Sequence, residues 1–370
     1  MIMKRLMLGI LLLSSFFSMK LCAQDFVIDN LEYTILSSGD RTVGVKCANT
    51  EIDSLYIPTE VSFNGENYTV TSILSYGLCH CSALKYISLP AKLEHIENFA
   101  MMGLNQLEEI KIPNTVKSIG LGAFGACRNL KHIYMGKSVK DIKNECFDSC
   151  TSLEDTVIIH PDTKYGNNTF SFCPNIKCII IEPGVTKIPN EMFNNYDDMI
   201  YPLIPLQVED IVIPESVDTI GRAAFALSKL KTLKLPSCKV MGKEAFAHNR
   251  WLETVTFGSK VEHVSSSAFN SSSSLKTIYC ESIIPPKEGS YVKGATLHVP
   301  KGCKEIYATT DNWAKYGENI VDDIELSGIR SIKNEELEKN NAIYDLQGRR
   351  VAHPKQGEIY IQNGKKYINK

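Results

Sequence analysis

A large apolar residue returns every 23 positions through the middle of the chain. Leu78, Met101, Phe124, Phe147, Phe170 and Phe193 stand at that spacing, and after two steps of other lengths, to Phe225 and Phe246, a step of 23 reaches Phe269. Six residues after each marker runs a second apolar ladder: Leu84, Leu107, Leu130, Leu153, Ile176, Met199, Leu252 and Leu275, with Leu230 one residue early in the Phe225 unit. Nine units lie between about residues 68 and 280. A fixed period of this length identifies a solenoid, in which one unit cannot bury its own apolar face and stacked neighbours bury it together.

Each unit also carries a strand pattern. After Leu130, the residues Ile133 and Met135 fall on one face and His132 and Tyr134 on the other, the alternation of a half-buried strand. Ile110/Ile112, Leu233/Leu235 and Val255/Phe257 repeat the inward pair. Pro90, Pro113, Pro214 and Pro236 follow the second inward residue and end the strand, because proline has no N–H for a ladder. Val116 and Ile119 form a shorter extended piece, and the segment Ala123–Cys127 is expected to make one helical turn. At about 4.8 Å per coil, nine coils make an array of about 40 Å.

The pattern V-x-x-I-G-x-x-A-F-x-x-C-x-x-L-x-x-I, carried here by Val116, Ile119, Gly120, Ala123, Phe124, Cys127, Leu130 and Ile133, resembles the BspA-like leucine-rich repeats of bacterial surface proteins. The resemblance covers about 210 of the 370 residues. Two units depart from it, with Tyr165-Gly166 and Ile188-Pro189 in place of Ile-Gly, and Pro161 comes two residues late, which leaves the register of residues 156–161 open. The expected fold is a β-rich α/β repeat solenoid of leucine-rich-repeat-like coils (short strand, helical turn, strand) with β caps at both ends.

The flanks complete the organisation. Residues 1–23 read as a signal peptide, with Lys4 and Arg5 before an apolar core too short to span a bilayer comfortably. Residues 24–67 read as an N-terminal β cap, 68–280 as the repeats with an insertion near 200–210, 281–324 as a C-terminal cap and 325–341 as a linker. The strand-turn-strand tail 342–370 resembles a short form of the C-terminal sorting domains of type IX secretion in Bacteroidetes.

Chemistry is sparse by comparison. A net charge of −2 argues against a nucleic-acid role, which needs a basic face. The histidines are scattered, and no HExxH, GxSxG or paired-carboxylate constellation is present. No enzyme activity, cofactor or metal is expected. Of the 12 cysteines, Cys22 lies in the leader, leaving an odd 11. Cys81, Cys127, Cys150 and Cys173 share one phase of the repeat and read as core beside Met101, Phe124, Phe147, Phe170, Phe193, Phe225, Phe246 and Phe269. An exported setting leaves bridges such as Cys146/Cys150 or Cys173/Cys178 open.

The outward residues of the strands offer the candidate binding face: Tyr86, Lys111, His132, Tyr134, Lys234, Thr254 and Tyr279. A second candidate is the apolar insertion patch of Tyr201, Leu203, Ile204 and Leu206. The reading is an exported, non-enzymatic protein that presents an elongated surface to an extracellular or host protein, or to a glycan. The resemblance implies cell-surface adhesion or host interaction and a cell-surface or secreted location. The alternative is a spacer of the cell envelope with no specific ligand.

Overall fold

The computed structural model describes residues 25–197, 199, 203–326, 343–344, 350–351, 356, 359–362 and 365–368. The leader 1–23, Tyr201 and the linker beyond residue 326 lie outside the described residues. The chain divides into two units, one up to Asp322 and one from Asp323 onward.

The first unit is the solenoid, and each coil contributes to three parallel rows. The first row consists of two-residue strands in register, Ile96 beside Ile119, Ile142 and Tyr165, and, after a break, Ile188 beside Ile220, Met241 and Val264. The second row is the segment around each marker residue. The third holds the longer strands, such as Glu109–Lys111 paired with His132–Tyr134 and Thr232–Leu235 paired with Thr254–Phe257.

The expected helical turn of the second row takes a particular form. Its amides donate alternately within their own coil and to the next. Gly125 N–H donates to Gly122 O and Cys127 N–H to Phe124 O, whereas Phe124 N–H donates to Cys146 O and Ala126 N–H to Asp148 O. This alternation requires left-handed backbone two residues either side of the marker. Gly122 and Ala126 flank Phe124 at φ 56, and Glu145 and Ser149 flank Phe147 at φ 58. Non-glycine residues in that region are strained, and the coil-to-coil hydrogen bonds hold them there.

The marker rings form one stack. Centroids of Phe124, Phe147 and Phe170 are spaced 5.3 Å apart, and the series continues through Phe193, Phe225, Phe246 and Phe269. All are buried, as is Met101 ahead of them. Gly120 explains the Ile-Gly pair: a Cβ there would lie 2.5 Å from Asn98 N of the preceding coil.

Three sequence expectations are corrected. Met199 is 88% exposed and not in the leucine ladder, whose place in that coil is taken by buried Val208. The coil still needs an apolar side chain at that level, and the end of the insertion supplies it. Met135 is not an inward residue but 37% exposed, and Ile133 is only partly buried. In the next coil the inward pair is Val157 and Ile159, so Val157 is not on the outward face; Thr156 and Ile158 are.

Both solenoid ends are covered. At the N-terminus, Asp25–Ile28, Leu31–Ser37 and Thr42–Cys47 extend the first row's sheet, and an Asn64-Gly65 hairpin joins Glu60–Phe63 to Glu66–Ile73. The C-terminal cap is not purely β. After the strand Thr296–Pro300 come a helix, Lys304–Ala308, and a 3-10 segment, Asp311–Asn319. Their buried aromatics plug the last coil. Tyr307 OH donates to Ser282 O, Trp313 Nε1 to Pro286 O and Tyr316 OH to Ser290 O. Each ring buries apolar area while its polar tip meets an open carbonyl.

In the second unit, Ile343–Tyr344, Arg350–Val351, Ile359–Gln362 and Lys365–Ile368 form an antiparallel sheet. Among the described residues no helix is long and apolar enough to cross a membrane.

Candidate binding surface

The third row presents its outward side chains in register, since every strand is parallel and pleated the same way. Ser54 lies beside Tyr86 and Tyr56 beside Ser88, so two tyrosines stand diagonally with hydroxyls between them over a recess of about 240 Å³. Tyr86 and Tyr56 are both 70% exposed. Lys111 Nζ lies 5.5 Å from the Tyr134 ring centroid, a cation–π contact that orders both. Further along, Lys234 is exposed, Thr254 is half-buried, and half-buried Tyr279 stacks on His298 at 4.6 Å.

Sequence reasoning missed the middle of this face. Ile158 and Ile180 are register partners on the outward side, 41% and 45% exposed, in the coils that follow exposed Tyr134 and Met135. They were missed because the regular phase places Thr156 and Ile158 inward. The signal that could have found them is the late Pro161.

That shift has a larger consequence. One extra residue, Asp155, stands between Leu153 and the first inward residue of its strand, and the following loop is shorter. The loop position filled by Val116, Val139, Val185, Val217 and Val261 in other coils, all buried, is here Asp162, which is exposed. The strand row also breaks. His132–Tyr134 pairs only with Glu109–Lys111, and Thr156–Ile159 only with Cys178–Ile181. Between the two lies a cleft of about 510 Å³ with Ile133, Val139, Ile142, Leu153, Val157, Tyr165 and Phe170 in its walls.

Side chains patch the break. The Asp155 carboxylate accepts from Ile133 N–H at 2.7 Å and lies 2.8 Å from His132 Nδ1. His160 Nδ1 lies 2.8 Å from Glu182 Oε2, and His160 N–H donates to Tyr165 OH. Burial pushes the Tyr165 hydroxyl above its ordinary pKa.

The insertion does not form one exposed patch. Leu206 is buried: its N–H donates to Leu227 O, and its carbonyl accepts from Lys229 N–H. Leu203 is half-buried, and Ile204 is exposed. Bridging two coils requires the chain to return to the core at Leu206, which removes that residue from any surface.

The cysteine ladder carries chemistry beyond filling space. Cys127 Sγ donates to Met101 O, Cys150 Sγ to Phe124 O and Cys173 Sγ to Phe147 O, at 3.1–3.2 Å. In later coils the same role falls to Asn249 Nδ2 on Phe225 O and Ser272 Oγ on Phe246 O. Cys146, Cys150, Cys173 and Cys178 form no bridge and are free thiols. Among the described residues no cluster of His, Cys, Asp or Glu could hold a metal ion.

The model of the BspA type leucine rich repeat region matches in six copies over residues 71–200 and 205–306. A leucine-rich repeat protein of Bacteroides ovatus has a similar solved structure, with 21% identity, a TM-score of 0.55, and coverage of 82% of this chain and 99% of that one. A leucine rich cell surface protein of Faecalibacterium prausnitzii matches at 22% identity and a TM-score of 0.46, over 84% of this chain and 96% of that one. None of the curated proteins matches the chain in sequence. The family match spans more than half of the residues and falls on the coils described above, and the chain therefore belongs to the BspA-type leucine-rich repeat family.

Proposed function

We propose that the chain is an exported, non-enzymatic binding protein that recognises an extracellular or host protein through the outward face of its third row. The observation that carries this reading is the run of large side chains on the solvent side of parallel strands: Tyr56, Tyr86, Tyr134, Ile158 and Ile180. A solvated β face also favours threonine and tyrosine, so most weight falls on Ile158 and Ile180, aliphatic side chains left on the solvent side. Exposed aromatic and aliphatic groups gathered on one face mark interaction surfaces, and tyrosine is favoured at the centres of interfaces. Lys111 and His132 add polar contacts at the same level. The leader sequence supports export, and the tail supports delivery to the cell surface.

The test is a binding screen of the chain from Gln24 onward against extracellular proteins and a glycan array. A saturable protein hit that weakens on Tyr86→Ala with Tyr134→Ala, and again on Ile180→Asp, supports the reading. A hit confined to glycans moves the partner class. Silence on both panels from a cooperatively folded sample favours an envelope spacer.

A further inference from the structure

We propose that the cleft between the Phe124 and Phe147 coils binds a neutral, predominantly apolar small molecule. This goes beyond recognition by the strand face and does not depend on it.

The cleft is built into the repeat. Its floor is core: Val139, Ile142, Leu153 and Phe170 are all buried side chains of the solenoid. It exists because Asp162 stands where other coils place a valine and because Asp155 shifts the next strand out of phase. The cleft is open to solvent at its mouth and measures about 510 Å³. That is within the roughly 300–1,000 Å³ of small-molecule sites. It is also larger than any single protein side chain, so one anchoring residue of a bound peptide would leave it partly empty.

Charge argues for a neutral occupant. The carboxylates in the lining already have partners: Asp155 has His132 and Ile133 N–H, Glu182 has His160, and Asp162 has Lys140 at 3.5 Å. Lys137 and Lys140 offset most of their charge, so the lining recruits neither strong anions nor strong cations. The apolar walls select a hydrocarbon or ring body, and a hydroxyl or carbonyl at the mouth meets polar groups of His160 and Thr163.

The experiment titrates the chain from Gln24 onward with Nile red, a neutral dye that brightens in apolar surroundings, and competes it with 1-decanol, decanoate and decylammonium. The expected result is saturable one-to-one binding, with decanol the most effective competitor. Met135→Trp places a large ring at the exposed mouth without touching the core, and should weaken dye binding at least about tenfold while leaving the melting curve unchanged. Val157→Phe fills the same space from the wall and should act in the same direction. Tyr86→Ala, outside the cleft, should leave dye binding as it was. No saturable signal from folded protein, undiminished binding in folded Met135→Trp, or decanoate or decylammonium competing better than decanol would each overturn the proposal.

Discussion

Replacing Cys150 separates two accounts of the cysteine ladder. If the residue is only a small apolar filler, serine is the worse substitute, since it buries a hydroxyl, and alanine the milder one. The geometry predicts the reverse. The Cys150 thiol is fully buried and donates to Phe124 O at 3.2 Å. Burial raises its pKa well above the ordinary value, so the proton is in place. Cys150→Ser keeps a donor at that site, as Ser272 does naturally, and should cost no more than about 1 kcal/mol. Cys150→Ala removes the sulfur and leaves the Phe124 carbonyl with only the longer bond from Cys127 N–H, at 3.3 Å. A small cavity of about 1 kcal/mol and one lost hydrogen bond of about 1 kcal/mol together put the loss near about 2 kcal/mol. Equilibrium unfolding in urea reads the difference, provided the slope m is the same in all three proteins. Alanine equal to or more stable than serine would refute the donor role.

Further outcomes follow from the same contacts. Phe147→Ala takes out a fully buried ring stacked on both neighbours, and should lower unfolding stability by about 3–5 kcal/mol. Ser228→Ala should be neutral or slightly stabilising in the same assay, because the buried Ser228 Oγ has no partner; Phe193 O is served by Asn195 Nδ2 instead. Burial raises the Asp148 carboxyl to about 6. The folded state therefore holds a proton that the unfolded state releases, and stability should rise as pH falls from about 6 towards the ordinary carboxylate range. Asp148→Asn should flatten that slope in urea midpoints taken between neutral pH and pH about 4. A hydrogen bond from Cys81 pulls the Cys47 thiol down to about 7, while Cys81 itself is pushed up. Cys47 should thus be the first thiol alkylated by iodoacetamide at neutral pH, and Cys81→Ala should slow it, as read by peptide mass spectrometry.

The period of 23 already contained the architecture, because a repeated apolar pattern can only be satisfied by stacking. The marker phenylalanines, the inward pairs of the regular coils and the turn at each proline follow from side-chain alternation and proline chemistry, which are local. Met199 and Val208 show the limit of that reasoning. Counting positions assigns the ladder to Met199, but an insertion lets the chain choose, and packing against two neighbouring coils chose Val208. The helical expectation for the turn failed in form for a related reason: the left-handed residues at Ala126, Glu145 and Ser149 are held by bonds to another coil, and no local propensity contains them.

The candidate site divides the same way. Tyr86, Lys111, His132 and Tyr134 were legible as outward residues because their strands keep the regular phase. Ile158, Ile180 and the cleft were not, although the late Pro161 marked the place. The amino-acid order by itself determined that the chain stacks as a solenoid and which ring of each coil lies inside, because burial of a periodic apolar face leaves no other arrangement. Only the tertiary structure decided where that stacking fails. A one-residue shift in one strand exchanges its inward and outward sets, and whether it closes into a bulge or opens into a cleft depends on the coils on either side.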